Sequence, residues 1–192
     1  MDLVTQNIVA SFRDEETLPL DINESVLFEH FVNYCVISQN YGEEFDLSDV
    51  HLGGGGDLGI DGIAVIINGT LVTDSVEIDD LCQMNKYVDA EFVFSQAKSG
   101  ANFDGSEISD FFFGVKDLFS SKPKQPRNER VKEKEELIRN VYRKSALFKK
   151  GNPRVRMYYV TTGKWLVQSG GNRPMVRRRE VCPDRSICRA WP

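Results

Sequence analysis

Two stretches of this 192-residue chain hold residue types that could act on a phosphodiester. GGGGDLGIDG (53–62) delivers Asp57 and Asp61 from a glycine-rich turn, and FVFSQAK (92–98) ends in Gln96 and Lys98. An acid at the start of one strand, with an amide and a lysine on a neighbouring strand, can hold a divalent cation and a water against a phosphate. Hydrolysis there needs an attacking water, neutralisation of charge on the phosphoryl oxygens and a proton acceptor. Hard oxygen ligands suit magnesium, with manganese as a substitute, and such an ion lowers the pKa of a bound water. Asp61 is the principal ligand expected, the Ala97 carbonyl a second and Glu29 a third, with Asp57 as an accessory acid nearby. Lys98 would position or activate the water and offset phosphate charge. Gln96 ligates through its carbonyl oxygen without adding negative charge, so metal affinity should be lower than with a carboxylate at that position.

Rival chemistries fit less well. GGGDLG satisfies G-x-G-x-x-G, but a dinucleotide site needs a helix after the glycines, whereas a strand pattern follows and Asp57 would repel phosphate. No Walker pattern occurs, and the Asp57 to Asp61 spacing lacks the remaining ligands of a calcium loop. Neither a nucleophile elbow nor a Ser-His-Asp set is present. Taken singly, Gly and Asp are common turn residues, and a lone Q-x-K on a strand is weak. Their joint occurrence after an acid-bearing apolar helix carries the nuclease reading.

Several elements must position these groups. Residues 24–39 (ESVLFEHFVNYCVISQ) read as a buried helix capped by Asn23, in which Glu29 sits amid Val26, Phe28, Val32 and Val36. That carboxylate either meets a cation or hydrogen bonds, or emerges at the edge of the core. Residues 41–59 form a polar connection; GIDGIAVII begins a strand that reaches an Asn68-Gly69 hairpin turn, with TLVTDSV as the return strand. EIDDLCQMNKYVDA is ambiguous between helix and strand. In the strand over 91–98, the two-residue period places Phe92, Phe94, Gln96 and Lys98 on one face. A helix from Glu107 to Phe119 presents Ile108, Phe111, Phe112, Val115, Leu118 and Phe119 as a core-facing stripe, its phenylalanines for packing rather than base stacking. SSKPKQPRNER is a linker, VKEKEELIRNVYRKSALFKK an amphipathic helix closed by Gly151, and RVRMYYVTTG a last strand.

The net charge of -5 conceals two opposite halves. Residues 1–120 carry 23 acids against 4 bases, a net of -19; residues 121–192 carry a net of +14. The basic half is where a nucleic-acid backbone is expected, with Ser99, Lys122, Lys124 and Arg127 as contacts, unless those charges merely solvate surface helices. No stretch approaches the roughly 18 apolar residues of a membrane span, and the N-terminus lacks secretory character, so a soluble, cytoplasmic protein is expected. The four cysteines lack CxxC spacing and the two histidines lack a zinc arrangement, which favours reduced thiols. Two units are expected: a domain over 1–167 and an arginine-rich tail over 168–192 with little periodicity.

GGDLGIDG with the downstream QAK resembles the PD-(D/E)XK nuclease superfamily in its Q-x-K variant, as in Mrr-like restriction enzymes. More closely, FEHFVNY, GIDGIAVIINGTLV, FVFSQAKSGANFDGSEISDFFFGV and MYYVTTG are similar in order and content to the N-terminal part of abortive-infection phage-resistance (AIPR) proteins. The resemblance covers residues 24 to about 165. It implies an α/β fold with a restriction-endonuclease-like core, a central mixed β-sheet flanked by helices. It further implies a magnesium-dependent nuclease in phage defence, with DNA favoured over RNA; a homodimer is a separate expectation. Asp61 matches the motif acid, Gln96 and Lys98 the Q-x-K pair, and Glu29 the acid of the first helix. Such proteins are longer, and the arginine-rich ending departs from their pattern, so the chain reads as a cutting core without their C-terminal portion. The alternative is a non-catalytic nucleic-acid-binding or regulatory module of the same fold, binding through its basic half in a salt-sensitive way.

Overall fold

The computed structural model describes residues 1–100 and 105–163, and the expected 168–192 tail lies outside them. Helices α1 (Leu3–Glu15) and α2 (Glu24–Ser38) are followed by strand β1 (Gly62–Ile67), the short strand β2 (Thr70–Leu71) and helix α3 (Ser75–Asn85). Strand β3 (Ala90–Lys98), helices α4 (Gly105–Leu118) and α5 (Glu129–Arg143) and strand β4 (Arg154–Thr161) complete it. The sheet order is β2-β1-β3-β4. β1 runs antiparallel to β2 and β3, and β4 lies parallel to β3, a pairing that needs a crossover and receives one from α4 and α5. The described residues are thus mixed α/β, with a four-stranded mixed sheet and five α-helices.

Every residue of β1 is buried, which requires covered sheet faces on both sides. Ile63, Val65, Ile67, Phe92 and Phe94 face α3, α4 and α5; Ala64, Ile66, Val93 and Ala97 face α2 with α1 behind it. The two-residue period of β3 therefore divides the core as expected. Asn23 caps α2, its side chain accepting from the Ser25 N–H.

Three expectations require correction. The return strand TLVTDSV stops after Leu71, because the Asp74 carboxylate accepts the N–H groups of Val76 and Glu77 and starts α3 there. The ambiguous segment is accordingly helix as far as Asn85, and its last residue, Ala90, opens β3. The helix expected to run to Lys150 ends at Arg143; a 3-10 turn (Ser145–Leu147) follows, and the Leu147 carbonyl accepts from the Val88 N–H to lead the chain back towards the sheet. On α4 the core stripe is Phe111, Gly114, Val115 and Leu118, and Phe112 is exposed. Helix α1, which sequence reasoning missed, buries only Val9 and Phe12.

Two close approaches fix the frame around the glycine-rich turn. A Cβ on Gly114 would come within 1.9 Å of the Leu58 carbonyl oxygen, so α4 lies directly against the turn. A Cβ on Gly62 would come within 2.3 Å of Asn33 Oδ1 and 2.5 Å of Ser95 Oγ, two side chains that hydrogen-bond to each other in the space glycine leaves. Gly62→Ala should therefore cost about 1–3 kcal/mol in urea denaturation. Gly55→Ala, with nothing within 4 Å of its Cβ and φ outside the left-handed region, should stay within about 0.5 kcal/mol of the parent.

Candidate active site

The site forms where β1 stops and β3 continues. β1 pairing ends at Gly62 opposite Ser95, so the Ala97 N–H extends past the ladder with no backbone acceptor on that side. The Asp61 carboxylate supplies one: Oδ2 accepts from the Ala97 N–H at 2.7 Å and from Gln96 Nε2 at 2.9 Å. The Asp61 backbone is fixed as firmly, its N–H donating to the Ser95 carbonyl while its own carbonyl accepts from Leu52 and from Asn33 Nδ2. Because the N–H and C=O of one strand residue point to the same side, the Ala97 carbonyl also faces Asp61, and Gln96 Nε2 approaches it at 3.5 Å.

Asp61 and Gln96 are 7% and 4% exposed. Burial pushes the Asp61 carboxyl up to about 7; the Ala97 N–H and Lys98 work against that rise, and the charges of Glu29 and Asp57 add to it. Gln96 spends its amide N–H on Asp61 and leaves Oε1 buried without a partner. A buried amide oxygen in that state is one donor short.

Glu29, from the middle of α2, is half-buried and interacts electrostatically with Asp57 and Lys98. Burial, with the Asp57 charge, raises its pKa, and Lys98 opposes the rise. Asp57 caps its own turn through Oδ1, which accepts the Gly59 N–H at 2.8 Å. Lys98 ends β3 at the rim, with its Nζ 3.8 Å from Glu107 Oε1. The structure thus brings Glu29, Asp57, Asp61, Gln96, the Ala97 carbonyl and Lys98 into one neighbourhood.

The basic residues expected at a nucleic-acid backbone fare differently. Arg127 corrects the expectation: its side chain is 8% exposed and pairs with Asp117 at 3.3 Å and Glu135 at 2.7 Å, so its guanidinium ties α4 to α5 and is not free for phosphate. Lys122 and Lys124 are exposed, on a loop that the Asp117 carboxylate anchors through the Lys124 and Gln125 N–H groups. Ser99 is half-buried, its carbonyl accepting from Thr162 Oγ1.

Sequence reasoning missed three contributors. Asn33, fully buried one helical turn after Glu29, joins α2 to Asp61 and Ser95; its i+4 spacing from Glu29 was the available signal. His51 lies with Nε2 3.9 Å from Glu29 Oε2 and its ring 4.3 Å from that of His30. Burial and the His30 and Arg130 charges push His51 down to about 4, so it faces Glu29 as neutral imidazole. Glu107 stands in the first turn of the helix that follows QAK. Among the described residues, no three His, Cys, Asp or Glu side chains converge closely enough to hold a metal ion by themselves. An ion here would have to draw on amide and carbonyl oxygens as well.

Comparison of the chain with protein-family models, with curated proteins and with solved structures finds no match. Among the described residues, no helix is long and apolar enough to cross a membrane.

A carboxyl whose folded pKa exceeds its unfolded value binds its proton more tightly when folded. The stability from Asp61 is therefore full below its ordinary value of 3.8 and declines until pH passes about 7, by a few kcal/mol in all. Urea melts between pH 4 and 8 should show this decline in the parent protein and a shallower one in Asp61→Asn.

Proposed function

We propose that this chain is a divalent-cation-dependent nuclease with a restriction-endonuclease-like core of the PD-(D/E)XK superfamily in its Q-x-K form, akin to the N-terminal part of AIPR proteins. DNA is favoured over RNA as substrate and phage defence as setting, both by that resemblance alone. The observation that carries the reading is the meeting of Asp61, the Gln96 amide and the Ala97 backbone at one corner of the sheet, with Lys98 close enough for its charge to act on Asp61.

The donor set fits a hard cation. Asp61 Oδ1, which receives no hydrogen bond among the described residues, and the Ala97 carbonyl are the oxygens that would hold magnesium or manganese, with Glu29 from α2; Gln96 would add Oε1 by turning its amide over, since Nε2 is the atom that faces Asp61 and Ala97. The ion would complete the coordination of Gln96 Oε1 and offset the charge that burial makes costly on Asp61. When bound, a divalent cation neutralises charge on the phosphate and makes a water more acidic. The protein's own groups do the rest. Lys98 stands at the rim, where its ammonium offsets charge on a phosphoryl oxygen and orients the attacking water. Asp61, held by two donors from β3, keeps its carboxylate in a fixed direction. Four acidic side chains around one ammonium give the site negative potential, so a polyanion approaches favourably only with a cation.

Plasmid DNA and RNA incubated with magnesium, manganese or EDTA test the reading directly. Cleavage is expected with either metal and none with EDTA. Asp61→Asn and Lys98→Ala, checked for folding by circular dichroism, should each lose at least about 100-fold in rate. Metal-independent cleavage, or undiminished cleavage by both variants, would sink the mechanism. Salt-sensitive binding that persists in both variants, with no cleavage under any metal, would point to the non-catalytic module instead.

A further inference from the structure

Glu107 belongs to no part of the hydrolytic set, yet its side chain is held at both oxygens. Tyr159 lies opposite Gln96 in the parallel pairing of β3 and β4 and so shares its face of the sheet. Its hydroxyl donates to Glu107 Oε2 at 3.0 Å, and its ring contacts Phe111, one helical turn beyond Glu107, at 6.4 Å between centroids. Phe111 is 1% exposed, which fixes this face of α4 against the sheet. With Oε2 held by the tyrosine, Oε1 faces Lys98 Nζ at 3.8 Å. The pair is more than a third exposed on both sides, so solvent and ligands reach it.

We propose that Glu107 is the counter-ion that nucleic acid displaces from Lys98, a positioning residue that holds the ammonium at the rim until a phosphate takes its place. This rests on the nuclease reading above. Without an anion, Lys98 faces Glu107 from α4 while the charges of Asp61 and Glu29 also act on it. Tyr159 keeps Glu107 from swinging away, so the ammonium stays aimed rather than sampling solvent. A phosphodiester entering the site brings its own negative oxygen to Lys98 and must first compete with Glu107. Competition of this kind lowers affinity for any polyanion whatever its sequence. It also leaves the chemistry of the bound complex largely untouched, because once the phosphate is seated Glu107 no longer contacts the ammonium.

Glu107→Gln keeps an oxygen for the Tyr159 hydroxyl and removes only the charge. Its affinity for fluorescein-labelled single-stranded and duplex oligonucleotides with phosphorothioate linkages that slow cleavage, measured by anisotropy with magnesium, should rise about 1.5- to 5-fold over the parent protein, the range of an exposed ion pair. The gain should shrink as salt rises towards 1 M. In cleavage assays with magnesium, KM should fall by a similar factor with kcat little changed. A Lys98→Met background supplies the decisive comparison: there Glu107→Gln should change affinity by less than the single variant does, since no ammonium remains to release. An equal gain in that background would reduce the effect to net charge and overturn the proposal. So would unchanged or weaker binding by Glu107→Gln when the parent binds. If neither protein binds any nucleic acid, the nuclease reading itself fails and takes the proposal with it.

Discussion

The short bond between the Ala97 N–H and the Asp61 carboxylate is the constraint on which the rest of this structure depends. β1 has run out at Gly62, and an N–H left bare there, 6% exposed with its residue, would cost the desolvation of an unmade hydrogen bond. A side chain takes over from the ladder, and only an acceptor of the reach of Asp can satisfy the backbone N–H and the Gln96 amide from the same oxygen. The group that closes the sheet is therefore the group with the most perturbed carboxyl at the site. The oxygen that closes the sheet also takes the Gln96 amide N–H, which leaves Gln96 Oε1 buried without a partner among the described residues.

Placement of α2 follows from the same corner. Asn33 reaches the Asp61 carbonyl with its amide N–H and accepts from the Ser95 hydroxyl, so a single fully buried side chain joins α2 to the start of β1 and the middle of β3. The missing Cβ of Gly62 makes room for that pair. Glu29, one turn earlier on the same helix face, is carried to the acids by this contact rather than by any bond of its own to them. On the opposite side of the sheet, Gly114 lets α4 close onto Leu58, and Asn128 bonds the carbonyls of Gly53 and Gly56 while its own side chain caps α5. The glycine-rich turn is thus held from both ends, which is why it can present Asp61 at a fixed angle.

What could be read in the sequence was what local periodicity and capping encode. The alternation of Phe92, Phe94, Gln96 and Lys98 assigned one face because β3 has the period of any strand; Asn23 announced the start of α2; Asn68-Gly69 marked the hairpin turn. The failures lie where a residue's role is set by a partner far along the chain. Asn33 looks like a polar residue tolerated in an apolar helix, although its partners are 28 and 62 positions away. Arg127 looks like surface charge in a polar linker, yet the neighbouring acids of α4 and α5 draw it inside. Glu107 reads as an ordinary first-turn acid, favourable to the helix dipole, until β4 brings Tyr159 against it. Helix α1 gave no clear stripe because it has only Val9 and Phe12 to bury.

The opposite charges of the two halves of the chain also change meaning once folded. Read along the sequence, the basic half looked like a footprint for nucleic acid. In the structure Arg154 and Arg156 of β4 pair with Glu91 of β3, Lys150 with Asp89, Lys144 with Asp79 of α3, and Arg127 with Asp117 of α4. Much of the positive charge of residues 121–163 is therefore directed at the negative charge of residues 1–120, across the contacts that join the late elements to the early ones. Exposed pairs of this kind add little stability each, but they lower the field that a distant polyanion would sense. Among the described residues, a phosphate backbone at the proposed site would find Lys98 at the rim and Lys122 and Lys124 on an exposed loop. At the proposed site the ammonium of Lys98 faces Glu107 across 3.8 Å, so the state of that one pair sets the positive charge that the rim would offer a phosphate.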